Sequence, residues 1–293
     1  MKYAFYTGCV AKGAGRELYS SSVAVAKRLG IELHELTNVS CCGAGVISEK
    51  DPLLSDTLNA RTFAIAEELN LDIMNICGTC QGVMMKAQKS INGDVKRKGN
   101  INEILKDGGH QYKGKVKVKH LLHILIEDYG IDKLKRLVTR PLKGLKVAPF
   151  YGCYLLRPSA YSNFSSPDRT TALEDLIIAL GGEPVQYDGR SKCCGFPIVM
   201  MNKESSLTMS GISLKEAKEK NADCLVTPCP LCHLNLDSYQ PEIDKIVQTK
   251  LNLPILHLPQ LVGIALGIDS KELGLNKHIV STEKILSSFL KGL

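Results

Sequence analysis

The sequence predicts an α/β protein of two pseudo-symmetric Rossmann-like lobes, each carrying one cysteine motif. Three observations predict it. Ten of the eleven cysteines form two copies of one pattern: Cys9, Cys41-Cys42 and Cys77-x-x-Cys80, then Cys153, Cys193-Cys194 and Cys229-x-x-Cys232. The pairs and the CxxC motifs recur at an offset of 152 positions, the leading cysteine at 144. Short apolar segments alternate with helical patterns, the mark of βαβ units and a parallel sheet. A chain of 293 residues, 44% hydrophobic and 23% charged, has room for two domains with a core each. Pro141 and Gly144 interrupt the pattern and place the boundary between domains 1–143 and 144–293.

Each element follows in order. KYAFYTGC and KVAPFYGC are short β-prone runs ending in Gly-Cys. Helical stretches over 16–30 and 167–182 come next, with Gly30 and Gly182 expected at the C-terminal caps in positive φ. Strands are expected over 31–36 and 183–187. Cys-Cys-Gly follows in both copies, and Gly43 and Gly195 are expected to let the backbone approach a bulky ligand. Long amphipathic helices are expected near 51–70 and 202–221. LDIMNIC and DCLVTPC read as buried strands running into CxxC. The segments 120–132 and 257–269 then match, with His120 and His257 expected to cap strand-to-helix turns; proton delivery is the alternative role. The first copy has about 15 extra residues before His120 in a Gly-, Lys- and Asn-rich stretch, 92–115, read as a surface loop. Residues 281–293 read as a short amphipathic helix docked on the body.

Composition excludes several classes. The start MKYAFYTGC lacks the features of a secretory signal, and no apolar run reaches the roughly 18 residues of a membrane span. A cytoplasmic, reducing setting is the expectation, with thiols free for metals. A net charge of +7 fits either a solvated basic surface or recruitment of an acidic ligand. With no Trp and few aromatics for stacking, nucleic acid is a poor fit.

Thiolates are soft ligands for iron–sulfur clusters and for zinc. Disulfides conflict with the compartment, and adjacent cysteines bridge only with strain. Zinc takes four ligands, so a set of five leaves one surplus thiol in each copy. Cys224 has Asp72 as its repeat counterpart and reads as a small buried hydrophobe. Every cysteine group follows a predicted strand, so the thiols of one lobe converge at one sheet edge, where open α/β sheets bind ligands.

The pattern C-x(31–39)-CC-x(34)-CxxC, with glycine after the pair, resembles the cysteine-rich CCG domain, here in tandem over the whole chain. Tandem chains of this size are similar to the B subunit of heterodisulfide reductase from methanogenic archaea, its catalytic component. The resemblance implies two noncubane [4Fe-4S] clusters, one on Cys9, Cys41, Cys42, Cys77 and Cys80, the other on Cys153, Cys193, Cys194, Cys229 and Cys232. It implies reduction of the mixed disulfide of coenzyme M and coenzyme B to two thiols by one-electron steps, with no flavin or nucleotide on this chain. The implied partners are the reductase's C subunit, with cubane iron–sulfur clusters, and its A subunit, with a flavin. Through them the resemblance implies a hydrogenase or formate dehydrogenase. The substrate is anionic, which makes Lys12, Arg16, Arg157, Arg190, Lys192 and His233, all near the motifs, candidates to bind it.

Absent motifs discriminate further. The sequence contains no ferredoxin-type cysteine run, no GxGxxG after the first strand and no P-loop, so electrons are expected from another polypeptide. The alternatives are an electron-transfer subunit of a lactate-, glycolate- or succinate-type dehydrogenase, and a zinc-stabilised scaffold.

Overall fold

The computed structural model describes residues 1–162 and 170–283, together with 285 and 287. The first half runs β1 (Lys2–Tyr6), α1 (Gly8–Lys12), α2 (Arg16–Arg28), β2 (Glu32–Glu35), α3 (Val46–Lys50), α4 (Pro52–Glu68), β3 (Ile73–Asn75) and α5 (Gly78–Asn92). It continues with α6 (Val95–Lys106), β4 (Val118–His120), α7 (Leu121–His123), a π-helical stretch over Ile124–Gly130 and α8 (Ile131–Arg136). The second half repeats the plan with β5 (Lys146–Pro149), α9 (Ala172–Ala179), β6 (Glu183–Pro184), α10 (Lys203–Glu219) and β7 (Cys224–Thr227). There follow α11 (Pro230–His233), α12 (Gln240–Val247), β8 (Ile255–His257) and α13 (Leu258–Ala265).

Both sheets are wholly parallel, in the orders β2-β1-β3-β4 and β6-β5-β7-β8. The direction of strand order reverses between β1 and β3, and again between β5 and β7. That switch point is where open α/β sheets hold ligands, beyond the C-terminal strand ends. Cys9 and Cys77 follow β1 and β3; Cys153 and Cys229 follow β5 and β7. The α/β class and the duplicated parallel sheets are therefore as the repeat predicted.

The capping chemistry explains the two longest helices. Asp51 accepts a hydrogen bond from the Leu54 N–H ahead of Pro52, and Asn202 accepts one from Ser205 N–H. Asn70 and Asn221 end these helices in the left-handed region, at φ 54° and 62°.

Three details differ from expectation. In the second half the positive φ falls on Gly181, not Gly182: α9 stops at Ala179, Leu180 is its C-cap, and the next position must turn left-handed. The stretch 92–115 is not a loop but carries α6, capped by Asp94 and anchored by buried Ile101 and Leu105, one helical turn apart. Its many lysines obscured that pair. β6 is shorter than 183–187, covering Glu183–Pro184, with the Val185 N–H still bonded to the Val147 carbonyl just beyond it. The helix expected over 281–293 lies mostly outside the described residues, as does the start of that expected over 167–182.

The cores are not divided between halves. Tyr3 and Phe5 of β1 share one apolar cluster with Val147 of β5 and Leu258 of α13, while Ala4 and Tyr6 share another with Ala148 and Phe150. Strand alternation sends each sheet's side chains to both faces, and each face continues into the other half. α2 packs on α13, and its repeat counterpart α9 packs on α8. These reciprocal contacts join the halves in the manner of a two-fold interface. Among the described residues no helix is long and apolar enough to cross a membrane.

Candidate metal centres

The two cysteine sets form at the turns that leave the strands. In the first, Cys9 Sγ lies 3.9 Å from Cys41 Sγ, and Cys42 Sγ lies 3.4 Å from Cys80 Sγ. In the second, Cys153 and Cys193 are 3.8 Å apart. Gly8 and Gly152, immediately before the leading cysteines, have φ of +72° and +71°. A Cβ at Gly152 would stand 2.8 Å from Cys232 Sγ, so only glycine leaves that sulfur room. Gly43 and Gly195 also have positive φ, but Gly195 has a different neighbour from the bulky ligand expected: its Cβ would strike the Ser206 carbonyl of α10 at 2.5 Å. It makes room for a helix.

Buried polar groups hold the Cys-Cys turns from behind. Asn59 donates to the Cys42 carbonyl at 2.9 Å, and Asn235 and Ser210 both donate to the Cys194 carbonyl at 2.6 Å. Sequence reading missed these residues. Their signal was polar residues four apart on otherwise buried helix faces, Ser55 with Asn59 and Ser206 with Ser210.

Crowding governs the ionisation of the thiols. Contact with Cys42 and Cys9 holds Cys41 well below the usual thiol range, while Cys9 and Cys42 are pushed up in turn. Cys153 and Cys194 treat Cys193 in the same way. Deeper in, Cys229 is held low by Cys232 and Cys77, and both of those are raised. Adjacent thiolates repel, so only a fraction can ionise together without a cation. Five convergent soft donors that need positive charge fit a metal centre, and an iron–sulfur cluster in particular.

The two sets meet across the halves. The Pro228 carbonyl accepts from Gly78 N–H at 3.1 Å and from His120 Nε2–H at 2.9 Å. His120 Nδ1 accepts from Leu122 N–H, which fixes its tautomer and makes it the expected cap. At His257 the reach-back comes from Gln260, whose Oε1 accepts from His257 N–H. Thr79 Oγ1 lies 3.3 Å from Cys229 Sγ. A cavity of about 550 Å³ opens here. It is lined by Gly78 and Thr79, between the first CxxC cysteines, and by Cys153, Cys194, Cys229 and Cys232 of the second set. Most of its wall is apolar, including Tyr154, Leu155, Phe196 and Val199, with Val46, Met200 and Met201 exposed along it. Glu49 and Lys50 are the charged residues among the described lining.

None of the six proposed substrate residues lines this cavity among its described residues. Lys12 pairs with Glu35 at 3.2 Å, and Arg190 pairs with buried Glu174 at 2.5 Å. Arg16, Arg157 and Lys192 are exposed. His233 is buried, stacked on His257 with ring centroids 3.8 Å apart. Cys224 lies fully buried on β7, its thiol pushed up by burial. A Cys224→Ala variant is expected to keep all its metal and to lose only about 1 kcal/mol of stability; metal analysis and a denaturant titration check this.

Two parallel sheets with a convergent five-thiol set at each switch point define a duplicated cysteine-motif α/β protein of the metal-binding, redox type. The model of the CCG cysteine-rich domain matches residues 3–85 and 147–237, and the chain belongs to that family. It is 40% identical over 284 residues to the 8-methylmenaquinol:fumarate reductase membrane anchor subunit of Wolinella succinogenes, covering 97% of this chain and 99% of that one. It is 30% identical over 289 residues to the B subunit of the ferredoxin/F(420)H(2)-dependent CoB-CoM heterodisulfide reductase of Methanosarcina acetivorans, covering 98% and 96%. A crystal structure of a hypothetical protein from Helicobacter pylori superposes with a TM-score of 0.77 at 16% identity, over 96% of this chain and 52% of that one. This chain thus spans about half of that protein, and the likeness concerns fold alone.

Proposed function

We propose that this chain is the two-cluster redox component of a multi-subunit oxidoreductase, exchanging electrons with a small ligand held between its lobes. The cavity lined by Gly78 and Thr79 of the first CxxC turn and by four cysteines of the second set carries this reading. Domains 1–143 and 144–293 would each supply one noncubane four-iron site, on Cys9, Cys41, Cys42, Cys77 and Cys80 and on Cys153, Cys193, Cys194, Cys229 and Cys232. Bound there, a pair of clusters supplies two one-electron donors or acceptors to a two-electron ligand.

The chain's own residues arrange the exchange. Thr79 donates a hydrogen bond to the Cys229 thiolate, the kind of contact that tunes a cluster's potential. The shared Pro228 carbonyl fixes the spacing of the two CxxC turns. Tyr154, Leu155, Phe196 and Val199 keep water from the ligand. Cys9 and Cys41 are exposed, whereas the cavity lies on the second set, so a partner iron–sulfur protein would cover the first.

The apolar lining favours a quinol-class carrier, the substrate named for the Wolinella relative. A second reading is reduction of the coenzyme M–coenzyme B disulfide, with the partners implied by the family's reductases. It is supported by relatives of that name and by the four second-set cysteines that line the cavity beside the first CxxC turn. Anaerobically purified, reduced protein is expected to be reoxidised by a menaquinone analogue at least about tenfold faster than by the heterodisulfide, a discrimination within reach of one binding site. The opposite ratio, followed by absorbance, would assign the second reading. Little iron, with zinc in both cysteine sites, would overturn both and leave a scaffold.

A further inference from the structure

The first CxxC turn reaches across to the second, and the second cannot reach back in the same way. Gly78 N–H donates to the Pro228 carbonyl at 3.1 Å. Thr79 is buried, with its Oγ1 3.3 Å from Cys229 Sγ. At the offset of 152 positions, Gly78 corresponds to Pro230, which has no N–H, and Thr79 corresponds to Leu231, which has no hydroxyl. The pseudo-symmetry of the two halves is broken where the two cysteine sets meet.

The backbone donors to sulfur, by contrast, are matched. Cys80 N–H donates to Cys77 Sγ, and Cys232 N–H to Cys229. Gly43 N–H serves Cys41 as Gly195 N–H serves Cys193. Ala44 N–H serves Cys42 as Phe196 N–H serves Cys194. Among the described residues, the Thr79 hydroxyl is the one side-chain donor outside the cysteines that reaches a motif sulfur, and its repeat position supplies no equivalent.

A cysteine that holds a metal is a thiolate, so Thr79 is the donor in this contact. Reduction adds negative charge to a centre and to its sulfurs. A donor aimed at one of those sulfurs stabilises the reduced state more than the oxidised one, and so raises the reduction potential. Solvent acts in the same sense on the first set, where Cys9 and Cys41 are exposed, but a covering partner would remove that effect. The Thr79 bond is internal and persists.

We propose that Thr79 makes the two centres unequal: its hydroxyl, supplied by the first half, selectively raises the potential of the centre on Cys153, Cys193, Cys194, Cys229 and Cys232. The inference rests on the two-cluster reading above and deepens it. Four of those five cysteines line the cavity, so the bond favours electrons on the side where the ligand is held. Thr79 acts through the Cys229 sulfur, which makes it a positioning residue for the electron exchange.

The test is an anaerobic redox titration of the full chain, followed by electron paramagnetic resonance. A Cys153→Ala variant, lacking the second centre, identifies the signal of the first. Thr79→Val keeps the shape of the side chain and removes the donor. At an ambient potential fixed near the second centre's midpoint, it should lower that centre's reduced-to-oxidised ratio by about threefold or more, a fraction of what a hydrogen bond to a charged group contributes. The first centre's ratio and the iron and sulfide content should not change, and Thr79→Ser, which keeps the hydroxyl, should behave as wild type. Leu231→Thr adds a hydroxyl at the matching position and should raise the first centre's ratio; it decides the question if Thr79→Val fails to fold. Two loaded centres that Thr79→Val leaves unmoved, or shifts equally, would overturn this inference alone. So would an equal loss in Thr79→Ser. Wild-type protein without iron and sulfide would overturn the two-cluster reading and this inference with it.

Discussion

A Cys229→Ala variant is expected to lose the second metal centre and essentially all electron exchange with the cavity ligand. The Cys229 sulfur is the junction of the two sets: it is held low by Cys232 and by Cys77 of the other half, and it takes a hydrogen bond from Thr79. Its removal deletes a first-set neighbour as well as a second-set ligand. Changes around a metal ligand cost about 10–100-fold, and loss of a ligand itself should exceed that. Iron and sulfide content should fall by half, and the spectrum of the surviving first centre should shift. Cys224→Ala, five positions earlier on β7, is the control for cysteine loss as such. Full iron and full activity in Cys229→Ala would remove Cys229 from the ligand set.

Gly82→Ala should separate the lobes. Gly82 lies inside α5, where alanine would ordinarily stabilise the helix by about 1 kcal/mol. Its Cβ would stand 2.5 Å from the Tyr154 carbonyl oxygen and 3.1 Å from that residue's ring. The clash is with backbone from the other half, so a rotamer change cannot relieve it. Overpacking of this kind costs about 1–3 kcal/mol, which outweighs the helical gain. Because Tyr154 also lines the cavity, ligand affinity should fall with stability. Denaturant titration and ligand-dependent reoxidation measure the two effects. A Gly82→Ala protein more stable than wild type would show that the halves do not approach this closely in solution.

These two positions differ in how they could be found. Cys229 was legible as a ligand candidate because it repeats Cys77 at the 152-residue offset. Gly82 carries no such signal, since its role depends on a residue 72 positions away. The same division runs through the site. The duplicated strands, the long helices with their Asp51 and Asn202 starts, and the thiols converging at the sheet edge all follow from local patterning. The polar groups behind the Cys-Cys turns were hidden because single Ser and Asn residues on a helix look solvated until the helix is packed. The cationic candidates failed to gather at the cavity for a related reason: Lys12 and Arg190 found carboxylates in their own lobe.

The sequence by itself determined the parallel α/β class, the duplication and the ten thiols, because each rests on periodicity and short-range chemistry. Only the tertiary structure decided that the halves share their cores, that the two CxxC turns meet at Pro228, and that the cavity between them is apolar. It also decided that Glu17 meets His233 and His257, more than 200 positions further along the chain. Contacts of that span are set by which faces bury against each other, and repeat spacing is silent on how two copies pack.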